Sequence, residues 1–299
     1  MKPKQLEVIS PAGATLHLFY WSPPNSDVTS SSDLPAILLI HGLASNARMW
    51  DGVAVNMCHQ GYQVACVDLR GHGRSSKPDD GYDFATISVD LDYVLQDLTK
   101  NFSPNWAKPL IAGQSWGGNV VLDFAASRPW SLRGAILVDG GILQLSDQFP
   151  EWERCAELLA PPVFEQLLPE VLEERIRQTH PDWPETGIQG LLANFIVTAQ
   201  GFVAPNLTFT RHMIILQHLW RHKPSELYSK ITAPTLILTA RSANSAGNPS
   251  DKDGQIALAK KCIPKCEAEW LESDHDIHAQ HPDILSSVII GRDIAGFFS

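Results

Sequence analysis

One hydroxyl stands out for its chemistry. Gly113-Gln114-Ser115-Trp116-Gly117-Gly118 fits the pattern G-x-S-x-G, between an apolar run at 109–112 and a helical pattern at 119–127. A strand that turns abruptly into a helix strains the backbone at the turn. Gly113 and Gly117 remove the side chains that would collide there. Ser115 is then expected clear of the backbone, above a helix N-terminus whose free N–H groups and positive dipole end favour a developing oxyanion. His41-Gly42-Leu43 follows an earlier apolar run. Gly42 lets the backbone approach closely, so the N–H groups of Leu43 and Trp116 are the expected pair of oxyanion donors. His41 is expected to pin this loop by hydrogen bonds and not to act as a base.

A serine hydroxyl is a poor nucleophile at neutral pH without an adjacent base. Near the end of the chain three histidines compete for that role, in Ser273-Asp274-His275-Asp276-Ile277-His278-Ala279-Gln280-His281-Pro282. His278 and His281 read as helix-start or surface residues. Asp68-Leu69-Arg70-Gly71-His72-Gly73-Arg74-Ser75 could be mistaken for a phosphate loop. It lacks a G-K-[ST] ending and G-x-G-x-x-G spacing, so it reads as a glycine-shaped turn with buried polar anchors, His72 among them.

The elements that must position these residues follow from hydrophobic periodicity. Residues 5–9 and 15–21 read as a hairpin, and 22–33, rich in Ser, Pro, Asn and Asp, as a surface loop. The short wholly apolar run at 36–40 suits a strand buried on both faces, 63–67 reads as the next buried strand, and 109–112 and 134–138 read as strands. Between them, 49–59 and 119–127 can be helical. Ile87, Leu91, Val94, Leu95, Leu98 and Phe102 recur at spacings of three and four, which marks an amphipathic helix. Alternating strands and helices imply a mostly parallel central sheet with helices on both faces, an α/β fold. From 141 to about 230 the alternation stops. Helical patterns at 151–159, 162–178, 187–198 and 210–221 carry much of the Trp and Phe. Strand signals resume at 235–239 and 268–271, and a closing helix spans 282–298. The expected organisation is a core of residues 1–140 and 231–299 with a helical insertion at 141–230, which would cover a site.

Composition narrows the function classes. In 299 residues there are 23 Lys and Arg against 33 Asp and Glu, a formal net charge of −10, with no basic run. That argues against nucleic acid as a partner. No apolar stretch approaches a membrane span, and the N-terminus has no secretory pattern. Five scattered cysteines suggest reduced thiols and a cytoplasmic setting. Cys262 and Cys266 could be half of a metal site, but a second pair is missing, so no metal is expected.

These segments together resemble the α/β-hydrolase fold serine hydrolases, in the esterase- and lipase-like branch with a helical cap. The resemblance rests on His41-Gly42-Leu43, residues 68–75, residues 113–118 and Ser273-Asp274-His275, in the family's order across nearly the whole chain. It implies Ser115 as nucleophile and His275, directly after the last strand, as base. It sets aside the dehalogenase and epoxide hydrolase branches, which carry Asp at the nucleophile. The family usually places its acid in the loop after strand 235–239, but Ala243 or Asn244 stands there. Asp139, at the end of the preceding strand, is the favoured substitute; Asp251 or Asp253 could fold back instead, or a Ser–His dyad could remain. The implied activity is hydrolysis of an ester of a small, largely apolar molecule through an acyl-enzyme. No metal or organic cofactor is needed, and the protein would be a monomer or homodimer. Carbon–carbon bond or amide hydrolysis with the same residues is an alternative, as is a weakly catalytic ligand-binding protein.

Overall fold

The computed structural model describes residues 1–23, 34–164, 166–241 and 252–299. Most of the loop expected at 22–33 therefore lies outside the described residues. The chain opens with an antiparallel hairpin, β1 (Lys4–Ile9) and β2 (Thr15–Trp21). Then come β3 (Ala36–Ile40), α1 (Asp51–His59), β4 (Gln63–Asp68), α2 (Phe84–Asn101), β5 (Leu110–Gln114), α3 (Trp116–Ser127) and β6 (Gly134–Val138). The inserted region holds α4 (Leu145–Gln148), α5 (Trp152–Leu159), α6 (Pro169–Thr179), α7 (Glu185–Leu192), a short antiparallel pair β7 (Phe195–Val197) and β8 (Val203–Pro205), and α8 (Phe209–Arg221). The alternation resumes with β9 (Thr235–Arg241), α9 (Lys252–Cys262), β10 (Cys266–Glu272), α10 (Ile277–Gln280) and α11 (Pro282–Ile294).

Eight strands form one sheet in the order β1-β2-β4-β3-β5-β6-β9-β10. From β4 to β10 all neighbours run parallel, and the β1–β2 hairpin adds an antiparallel margin. Every residue of β3, β5 and β6 is buried, as their largely apolar runs require. Alternate side chains serve opposite faces: Leu38 and Ile40 pack with Ile87, Leu91 and Val120 of α2 and α3, while Ile37 and Leu39 pack with Val53, Met57, Leu285 and Ile289 of α1 and α11. The chain leaves β3 toward β4 and leaves β5 toward β6, so the loops after β3 and β5 diverge. A crevice opens at such a switch point, beyond the carboxyl ends of the strands.

Two of the expected helices are corrected and a further helix appears. The helix expected at 187–198 ends at Leu192, and its last residues form β7. The helix expected at 162–178 starts only at Pro169. α9 carried too weak an apolar stripe to be read at all, and only Ile256 and Ala259 of it are buried. The insertion is therefore helical with a small hairpin. Its aromatic residues divide: Trp152 and Trp220 pack α5 on α8 with ring centres 5.8 Å apart, whereas Phe164 and Phe195 line a cavity. No described helix is long and apolar enough to cross a membrane.

The turn after β4 is built around buried polar anchors. Asp68 accepts the Ala47 N–H at 2.8 Å and the Arg74 N–H at 2.9 Å. Arg70 pairs bidentately with Asp90 of α2 at 2.7 and 2.8 Å, both side chains almost fully buried. Removing one partner of such a pair strands the other charge in the core. Asp90→Ala is expected to lower unfolding free energy by about 3–5 kcal/mol in urea titration; a loss of a few tenths would show the pair to be dispensable.

Candidate active site

Ser115 stands between β5 and α3 with φ 54° and ψ −122°, a conformation non-glycine residues rarely adopt. The fold holds it there from several sides. The Ser115 N–H donates to Val138 O at 2.9 Å, and Ser115 O accepts the Gly118 N–H at 2.9 Å. A Cβ on Gly113 would overlap the Gly117 carbonyl, and one on Gly140 would overlap the Ser115 backbone. The tight turn therefore requires glycine at both positions. The Ser115 side chain does not cap α3, so the helix's first N–H groups are not taken by it. Trp116 opens α3, and its N–H has no intrahelical acceptor.

The loop after β3 lies close by, since a Cβ placed on Gly42 would be 3.4 Å from Ser115 Cβ. His41 anchors this loop. Its Nε2 accepts the Leu69 N–H at 3.0 Å, so its Nδ1–H donates to Gly42 O at 2.8 Å. Burial holds its pKa down to about 4, which keeps it neutral. Fixing Gly42 O fixes the whole Gly42–Leu43 peptide plane and aims the Leu43 N–H away from that carbonyl. His72 lies within hydrogen-bond distance of Leu43 O, 2.6 Å from Nε2, and its ring stacks on Trp116 at 5.4 Å. Both histidines are thus structural, as expected.

His275 follows β10, and Asp139 follows β6. Their side chains meet: His275 Nδ1 is 2.6 Å from Asp139 Oδ2. Like Ser115, Asp139 is a non-glycine residue with positive φ, at 42°. Its N–H donates to Leu238 O at 2.7 Å. Its Oδ1 accepts the Ala240 N–H at 3.0 Å and Lys252 Nζ at 2.9 Å. Burial alone would push the Asp139 carboxyl up, but His275 and Lys252 outweigh it and hold it below the usual range. Burial would lower His275; the Asp139 hydrogen bond and the Asp276 and Asp139 charges outweigh this and raise it above 6.5.

Of the other acid candidates, Asp253 is exposed on the first turn of α9. Asp251, Ala243 and Asn244 lie outside the described residues. Among the histidines, His281 precedes α11 as a helix-start residue. His278 is in α10, but the surface reading of it fails: it is fully buried, with its ring 4.5 Å from that of Trp50. Two participants went unnoticed in the sequence. Gln114 Nε2 reaches His275 O at 3.2 Å and Asp276 Oδ1 at 3.3 Å, tying the serine turn to the histidine loop. Lys252 was equally invisible, because no spacing relates it to Asp139. Among the described residues no group of three or more His, Cys, Asp or Glu could hold a metal ion.

Comparison with known proteins identifies the fold family. Residues 35–184 match the family model described as the alpha/beta hydrolase fold, and the chain belongs to that family. An uncharacterised protein of Mycobacterium tuberculosis is 36% identical over 107 residues, 36% of this chain and 29% of its own length. The match thus spans under a third of that relative. A soluble epoxide hydrolase of Corynebacterium is 30% identical over 125 residues, 41% of each chain. Among solved structures, the thioesterase domain from the curacin biosynthetic pathway superposes with a TM-score of 0.72 at 23% identity, covering 97% of this chain and all of that one.

The contact between His275 and Asp139 has a direct solution signature. An anion against the ring stabilises the imidazolium, so the ring should keep its proton to a pH above 6.5. In Asp139→Asn the NMR titration midpoint of His275 should fall by about one unit or more. An unchanged midpoint would mean that the two side chains do not meet in solution.

Proposed function

We propose that the protein is a serine hydrolase that cleaves an ester of a small, largely apolar molecule through an acyl-enzyme. The observation that carries this reading is the 2.6 Å contact of His275 with Asp139, on the strand end beside the strained Ser115. In this reading His275 Nε2 takes the Ser115 proton as Oγ attacks the carbonyl. Asp139, holding Nδ1, fixes the tautomer and stabilises the imidazolium that forms. The negative charge developing on the carbonyl oxygen is received by the Leu43 and Trp116 N–H groups. His275 then gives its proton to the leaving alcohol, and water repeats the sequence on the acyl-enzyme.

Ser115 in place of Asp supports an acyl-enzyme over the alkyl-enzyme route of the epoxide hydrolase branch. The ligand-binding alternative arose from the missing carboxylate after β9, and Asp139 supplies one from β6. A cavity of about 150 Å³ between the loop after β3 and the inserted region, whose lining does not include Ser115 or His275, supports the apolar character of the substrate. It is bounded by Ala44 and Ser45, next to Leu43, and by Phe164, Leu191, Phe195 and Leu207 of the inserted region. Apolar space of that size holds a group about as large as benzene. The Ser45 hydroxyl, buried and without a partner among the described residues, is a polar director in an apolar wall.

Short-chain nitrophenyl esters test this reading. Turnover of the butyrate should exceed that of the decanoate, and Ser115→Ala should lower kcat/KM by about 10³-fold or more. Unchanged turnover in Ser115→Ala would end the proposal. The acid limb of the wild-type kcat/KM profile should lie above pH 6.5, because only neutral His275 can accept the proton.

A further inference from the structure

The acid in this site carries a cation on its second oxygen. Asp139 is 4% exposed, and three donors converge on its carboxylate: the His275 ring on Oδ2, and the Ala240 N–H and Lys252 Nζ on Oδ1. Lys252 is the first residue of α9. A helix start repels cations, because its free N–H groups carry partial positive charge. The ammonium is nevertheless drawn in to 2.9 Å, with the lysine side chain only 23% exposed. The carboxylate compensates for this placement.

We propose that Lys252 is a positioning residue of this site, its ammonium on Oδ1 of Asp139 trimming the negative field that the carboxylate sets at the His275 imidazole while the Ala240 N–H also holds Oδ1. The inference rests on the hydrolase reading above and adds a residue to it. An acid that bonds a base too strongly holds the proton on that base, which then accepts the serine proton only at high pH. A cation on the far oxygen leaves the geometry in place and weakens that hold. The other groups facing this pair act alongside it. Asp276 raises His275, while His278 lies buried in α10 on the same side. His180, from the loop after α6, and Asp274 both face Asp276. Lys252 is the cation among these groups that touches Asp139.

The test uses the full chain with Lys252→Met, Lys252→Gln and Lys252→Arg, each checked for folding by thermal melting. The His275 imidazole midpoint is read by NMR, and the acid limb of kcat/KM is read with nitrophenyl butyrate. Removing the cation should move both upward by about 0.5–1 unit in Met and Gln. Arginine, which keeps the charge, should stay near wild type. If Lys252→Met fails to fold, Lys252→Gln, which keeps a donor, carries the reading. A midpoint unmoved in a folded neutral variant would overturn the proposal, as would an arginine variant that shifts like methionine. A lysine that merely packed α9 would change the melting temperature and leave both readouts in place. Because the NMR midpoint needs no substrate, an upward shift without Ser115-dependent turnover would support the role of Lys252 and fault the hydrolase reading alone.

Discussion

Two adjacent strand ends carry backbone conformations that L-residues avoid, and the site depends on both. Ser115 after β5 and Asp139 after β6 have φ of 54° and 42°, each costing of order 1–3 kcal/mol. The parallel pairing of β5 with β6 sets them side by side, with Gln114 opposite Val138 in the last register. Gly140 then packs against the Ser115 backbone with no room for a side chain. Neither residue could relax without breaking the pairing of strands buried on both faces. The apolar core therefore holds the strained Ser115 beside the strand end whose carboxylate meets the His275 imidazole.

The surrounding loops are held by polar groups that stay neutral or paired. His41 is buried and neutral, so it can accept from Leu69 and donate to Gly42 at once. His72 sits between that loop and Trp116. Asp68 and the Arg70–Asp90 pair tie the turn after β4 to the loop after β3 and to α2. Orientation of the Leu43 N–H is thus set by contacts that reach well beyond the crevice. Electrostatic stabilisation of a transition state works best with such donors, fixed before the reaction begins.

Much of this was legible in the sequence because it depends on short-range chemistry. The apolar runs of β3 to β6 allowed little but buried strands, and the glycines around Ser115 declared a close approach. The Asp139–His275 meeting could only be ranked among alternatives, since 136 residues separate the two and sheet order decides who faces whom. α9 was hidden by its mostly exposed surface, and Lys252 with it. The β7–β8 hairpin lost to a helical pattern because Phe195, Ile196 and Val197 extend the apolar spacing of α7 while favouring strand by shape. His278 lies at the start of α10, but its surface alternative fails: it is a buried imidazole with neither nitrogen bonded, among the described residues, contrary to the usual satisfaction of buried polar groups.

The central claim is that Ser115 is presented and activated as a nucleophile. Labelling with a fluorophosphonate, followed by peptide mass spectrometry, tests it without any assumption about substrate. The account predicts one adduct, on the peptide containing Ser115, and its near-complete loss in His275→Ala. An unlabelled Ser115 in the folded wild-type protein, or labelling equally fast without the imidazole, would contradict it.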